Sequence, residues 1–277
     1  MQKINLSAAP VLLFLPCVIS FQALSQKLPN KQEVSVRAPA NIKIDGKATE
    51  WNNQLQAYNK TTQVYYTIAN NDDNIYLTVQ ITDPVIIRKL ITHGLVFTIT
   101  PQNKKPAAIT YPLITSDDSR GIFTALNTDV AKNLSDSIAI RKKNDSLVIA
   151  VNKKLGELSK EIAVEGITSI TDEKVSIYNE AGIKTAMLFD NKKVFTCELA
   201  IPIKLLGTTG MPDKLSYAVK LNGAPPNNVT TVVSDGYVRR SSPGNITVEM
   251  KATPQLLASL AAESPTDFSG EYTLAKK

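Results

Sequence analysis

Few residues in this 277-residue chain can do covalent chemistry. His93 is the only histidine, and a serine or cysteine nucleophile would need it as its base. It stands between a short apolar helical pattern and a strand, beside Gly94, where a helix C-terminal role accounts for it. One histidine and two cysteines, of which Cys17 falls in a leader and Cys197 on an apolar strand face, exclude zinc in practice. No pair of carboxylates is singled out for glycoside hydrolysis. The chemistry left is recognition.

With one tryptophan, the stacking surfaces would be tyrosines in or next to loops: Tyr58, Tyr111 and Tyr237. Tyr237 is the best placed, in a polar segment at 222–245 with Asn222, Asn227, Asn228, Arg239 and Arg240, an aromatic face among hydrogen-bond donors and acceptors. The same residues equally describe a tyrosine lying flat on the end of a sandwich among solvated arginines. Asp72, Asp73 and Asp83 offer hard oxygen ligands for calcium, although Asn71-Asp72-Asp73-Asn74 is also what a hairpin turn needs and no EF-hand-like loop is present.

The elements that must position these residues read as strands. Gly, Pro, Asn and Asp punctuate the chain every 8 to 12 residues or so, with period-two alternation between them, the pattern of an all-β sandwich or barrel. Val64, Tyr66 and Ile68, then Ile75, Leu77, Val79 and Ile81, predict a hairpin with one core face and one polar face. Ile86, Ile87, Leu90 and Ile91 predict a short connecting helix ending at Gly94. Strands follow at 95–99 and 109–113. A polar stretch at 115–135 carries a short helix near 128–134, and a hairpin at 138–151 turns on Lys143-Asn144-Asp145. A third hairpin runs over 183–201, with Cys197 a buried structural thiol between Phe195 and Leu199. Further strands at 215–221 and 246–250 flank the polar segment. A short amphipathic helix at 254–262 and a tail through Leu274 close the chain.

Residues 1–25 read as a secretory signal peptide: Lys3, an apolar stretch at 8–21, and Ala23-Leu24-Ser25 at the cut. Its removal leaves 252 residues and lowers the net charge from +6 to +5, without a basic cluster, so nucleic acid is not expected as a partner. Cys17 is not expected to carry lipid, since Phe14-Leu15-Pro16 lacks the small residue at −1. No later apolar run is long enough to span a bilayer, which predicts a periplasmic or extracellular product without a transmembrane segment.

Three segments taken in order, Ile44-Asp45-Gly46 with Glu50-Trp51, Asn71 to Leu77 ending at Asp83-Pro84, and Glu198-Leu199-Ala200-Ile201-Pro202 running to Leu206-Gly207, resemble the secreted domains similar to family 9 carbohydrate-binding modules. The resemblance implies a DOMON-like antiparallel β-sandwich of jelly-roll type over residues 40–252, with an N-terminal extension at 26–39 and a C-terminal helix and tail at 253–277. In this reading Asp45 and Gly46 make a tight turn after an edge strand, Trp51 plugs one end of the sandwich, and Pro202 ends a strand ahead of one glycine-capped helical turn. The resemblance implies a non-catalytic, carbohydrate-binding function without a required cofactor. The family's two-tryptophan clamp has no counterpart here. The competing reading is a cell-envelope structural or interaction protein that has lost the sugar site. Remoter ones are a glycoside hydrolase accessory role and a heme-binding relative, for which only His93 and a few methionines are available as axial ligands.

Overall fold

The computed structural model describes residues 27–126, 136–208, 210, 212–225, 229–242 and 246–277. The leader, the short helix expected at 128–134, and Asn227 and Asn228 lie outside the described residues. Fourteen strands and four α-helices are present among those described.

The hairpin expected first is there as β2 (Val64–Asn70) and β3 (Asn74–Ile81), closed by Asn71, whose side-chain oxygen accepts the N–H groups of Asp73 and Asn74. The hairpin expected at 183–201 is β8 (Lys184–Phe189) and β9 (Phe195–Pro202), turned by Asp190, which takes the N–H of Lys192 and of Val194. With β1 (Ala57–Asn59) they form a five-stranded antiparallel sheet in the order β1-β2-β3-β9-β8. The helix expected between β3 and the next strand is α1 (Pro84–His93), followed by Gly94 at positive φ.

A second, six-stranded sheet runs β14 (Thr266–Thr273), β10 (Lys214–Leu221), β4 (Leu95–Pro101), β5 (Ala107–Tyr111), β6 (Glu161–Glu165), β7 (Lys174–Ser176). The two sheets pack face to face around one apolar core. The rings of Tyr66 on β2 and Phe268 on β14 lie 4.6 Å apart, and the hydroxyls of Tyr66 and Tyr217 meet at 3.2 Å. Cys197 is fully buried between the sheets, where loss of hydration pushes its thiol pKa up.

Several expectations are corrected. Residues 138–151 are not a hairpin: they lie in α3 (Ser137–Leu158), 22 residues long and capped by the Asp136 carboxylate on the N–H groups of Ile138 and Ala139. Val148, Val151 and Leu155, spaced by three and four, are its buried stripe, and Asn152 fastens the helix to β8 by two 2.8 Å hydrogen bonds with the backbone of Phe189. The connecting helices are therefore not all short. α2 (Ser116–Leu126) occupies the first half of the stretch expected to be irregular.

The polar segment at 222–245 is not a long loop. It carries β11 (Thr230–Ser234) and β12 (Tyr237–Ser242), which join β13 (Ile246–Lys251) in a third, three-stranded sheet beside α4 (Pro254–Glu263). The expected C-terminal tail is β14, paired with β10 along its whole length from Thr266↔Leu221 to Thr273↔Lys214, so the sandwich does not end at residue 252. β3 and β9 do not have a solvated outer face, because residues 38–55 cover it.

Candidate functional site

The covered outer face of the first sheet is where the segments at 44–51, 71–84 and 198–207 converge. Trp51 does not plug an end of the sandwich. It lies across the outside of the sheet with Ala38, Ala48, Leu55, Ala69, Tyr76 and Ala200, in an apolar cluster separate from the main core. Its indole N–H donates to Thr78 Oγ1 at 3.0 Å, and that hydroxyl donates to Glu198 Oε1 at 3.2 Å. The other oxygen of Glu198 accepts the backbone N–H groups of Asp45 at 3.1 Å and Gly46 at 2.9 Å. Residues 41–44 form no strand, so the Asp45-Gly46 turn stands on this carboxylate instead of on a strand end. Glu198 is fully buried, and burial pushes its carboxyl up to about 7 against the three donors, which favour the ionised form. The network is structural. Gly46, Trp51, Thr78 and Glu198 are buried, while Asp45, which lends the network only its backbone N–H, keeps its own carboxylate partly exposed beside Lys47.

At one end of the sandwich Asp72, Asp73, Asn74, Gly182, Pro202 and Lys204 border a depression of about 490 Å³. Pro202 ends β9 there, ahead of a 3₁₀ turn, Ile203–Leu206, closed by Gly207 in the left-handed region. The two aspartates do not converge with Asp83. Asp72 pairs with Lys277 at 2.6 Å and Arg37 at 2.7 Å, and these hydrogen bonds hold its carboxyl below its ordinary value. Asp83 caps α1, its Oδ1 accepting the N–H groups of Val85 and Ile86. Among the described residues, no group of three or more His, Cys, Asp or Glu is placed to hold a metal, and no helix is long and apolar enough to cross a membrane.

Of the residues expected to bind a ligand, two come together. Tyr237 and Arg239 stand two apart on β12, hence on one face of the third sheet. Tyr237 is 42% exposed. Arg239 Nε donates to Glu249 at 2.6 Å and its Nη1 to Ser234 at 2.7 Å, so the guanidinium is held in place beside the ring's strand. The register sets Lys251 opposite Tyr237 and Glu249 opposite Arg239 on β13, giving the face one aromatic and alternating charges.

Tyr111 is not a platform: it is 2% exposed in the main core at the end of β5, and burial lifts its hydroxyl to about 12. Asn222 is a fastener, its backbone N–H donating to Gly94 O and its side chain to His93 O. Tyr58 stacks on Tyr65 at 4.6 Å on β1 and β2.

Two residues carried no sequence signal that separated them. Tyr178 is the most exposed aromatic among the described residues at 78%, with Lys160 Nζ 5.7 Å from its ring centre. Lys89 on α1 is buried, its ammonium donating to Thr266 Oγ1 at 2.9 Å, and desolvation lowers its pKa. A signal for Glu198 did exist: a carboxylate inside a strand of otherwise apolar or small residues needs donors. No family model matches the chain, and no curated protein shows a significant match to it.

Proposed function

We propose that this protein is a non-catalytic binding module that takes carbohydrate on the outer face of its third sheet. The observation that carries the reading is the exposed Tyr237 ring two residues from an Arg239 already held by Glu249 and Ser234. A sugar's C–H face packs on an aromatic ring, and a preset guanidinium donates to its hydroxyls without first losing side-chain freedom. The kind of sandwich proposed is the DOMON-like one, similar to family 9 carbohydrate-binding modules. It is supported by the convergence of the three resembling segments on Glu198 and by the two face-to-face antiparallel sheets. Export to the periplasm or beyond is part of the same reading and rests on the residues at 1–25.

A second reading, an envelope interaction protein, is favoured by a separate observation. Val232, Val233, Val248 and Leu257, all on or beside the third sheet, are each at least 40% exposed. Affinity electrophoresis against a panel of polysaccharides separates the two. Retention that Tyr237→Ala abolishes supports the sugar reading. No retention on any polysaccharide, together with recovery of one envelope protein in a pull-down, overturns it in favour of the second.

A further inference from the structure

The third sheet ends in an edge unlike the other sheet edges among the described residues. β13, on its far side, carries Glu249 and Lys251; β8 carries Lys184, β7 carries Lys174, and β14 carries Asp267 and Glu271. β1 has no charge but is covered, Tyr58 donating its backbone N–H to Pro29 O and Asn59 its side-chain amide to Asn30 O. Charge or cover at an edge is how β-proteins block pairing with another strand. β11, Thr-Thr-Val-Val-Ser, has neither charge nor proline, and Thr230 to Val233 are all exposed.

Its register decides which backbone groups are open. β11 and β12 are joined by Asp235-Gly236, both at positive φ, a two-residue turn of type I′. In such a hairpin the closing pair Ser234↔Tyr237 is hydrogen-bonded, and pairs alternate from there, so Val232 and Thr230 also bond inward to β12. Thr231 and Val233 fall at the alternate positions and turn their N–H and C=O groups away from the sheet. Their side chains face a groove of about 490 Å³ whose other wall is Leu257, Leu260 and Ala261 of α4.

We propose that β11 pairs with β11 of a second copy of this chain, antiparallel about a two-fold axis at Val232. The strand is complementary to itself in this register. Thr231 of one copy stands opposite Val233 of the other, and because these are the residues with outward N–H and C=O groups, the two pairs form four hydrogen bonds across the axis. Val232 faces its own copy as a non-hydrogen-bonded pair, the arrangement with the closest side chains, and no like charges meet there. Each copy's Thr231 and Val233 side chains continue the inner face of the other's sheet, toward the apolar wall of its groove. The product is one six-stranded sheet, β13-β12-β11-β11-β12-β13, with both Tyr237 faces on the same side. The pairing does not depend on what Tyr237 binds. A five-residue edge makes a small interface, so the dimer is concentration-dependent.

Sedimentation velocity of the full chain over about a hundred-fold range of concentration tests this, with the mass expected to double toward the upper end. Val232→Lys sets two ammonium groups on the axis, and Val233→Pro deletes an outward N–H without touching the ladder to β12; each is expected to leave a monomer with an unchanged melting temperature. Val232→Cys is expected to give a disulfide-linked dimer under oxidising conditions that wild type does not. A monomer at every concentration overturns the proposal. So does a dimer that Val232→Lys leaves intact, and so does capture on β11 of a strand from a different protein while the purified chain stays monomeric.

Discussion

The Oε2 atom of Glu198 accepts the backbone N–H of Gly46 at 2.9 Å, across 152 residues of chain and inside a wholly buried site. Its carboxyl stands at about 7 in the folded protein because burial outweighs the donors around it, against 4.5 when free. The folded state therefore binds this proton more tightly than the unfolded state does. The stability it contributes is fully present below the free value and is lost as pH rises through about 7, by a few kcal/mol at most. Urea unfolding at about pH 5 and about pH 8 measures the loss, and Glu198→Gln, which no longer titrates, is expected to flatten it. A slope unchanged by that substitution would assign the pH dependence to other groups.

Gly46 is expected to resist substitution more than any residue around it. Its φ is +80°, and a Cβ would sit 2.8 Å from the Met187 carbonyl carbon and 2.9 Å from Leu188. Backbone atoms cannot swing aside, so Gly46→Ala combines a disfavoured conformation with overpacking and is expected to cost about 3 kcal/mol. Thermal unfolding followed by circular dichroism reads it. Gly207, also at positive φ but with nothing within 4 Å of a Cβ, should cost about 1 kcal/mol when replaced by alanine.

Tyr111 and Tyr237 should separate stability from binding. Tyr111→Ala empties a place in the main core and is expected to cost about 4 kcal/mol. Tyr237→Ala removes a ring that is 42% exposed and is expected to change stability by less than about 1 kcal/mol while abolishing retention on polysaccharide. Melting curves beside affinity electrophoresis give both readouts.

Asp83 is expected to act as a helix cap whether or not calcium is present. Asp83→Ala leaves the N–H groups of Val85 and Ile86 without their acceptor and should lower stability by about 1 kcal/mol. The same drop is expected in calcium and in chelator. A drop confined to the calcium-loaded sample would return Asp83 to the metal reading.

Much of the sandwich was legible where a strand or helix declares itself locally. Alternation from Val64 to Ile68 and Ile75 to Ile81, and from Phe195 to Ile201, gave two hairpins with their turns. The apolar spacing of Ile86, Ile87, Leu90 and Ile91 before Gly94 gave α1. α3 reads locally as a hairpin because Ile138 and Ile140, and Leu147, Ile149 and Val151, also alternate by two, while its buried stripe is only Val148, Val151 and Leu155. A helix that buries so little writes a thin pattern. β11 and β12 are masked in the sequence by the proline and asparagine residues around them, which read as loop, although Asp235-Gly236 between Val232-Val233 and Val238 is a strong hairpin signal.

By itself the sequence determined the strand-rich class, the local turns and caps, and the scarcity of catalytic groups, because each follows from residue type and from spacing over a few positions. Tertiary structure alone decided which tyrosine is core and which is surface. Tyr111 is enclosed where β5 lies between β4 and β6, and Tyr237 is open on the third sheet. It also decided that Glu198 would find its donors on Asp45, Gly46 and Thr78, and that β11 would be left at an edge. These outcomes depend on pairings between residues tens to hundreds of positions apart, and burial is a property of the partner strand as much as of the residue.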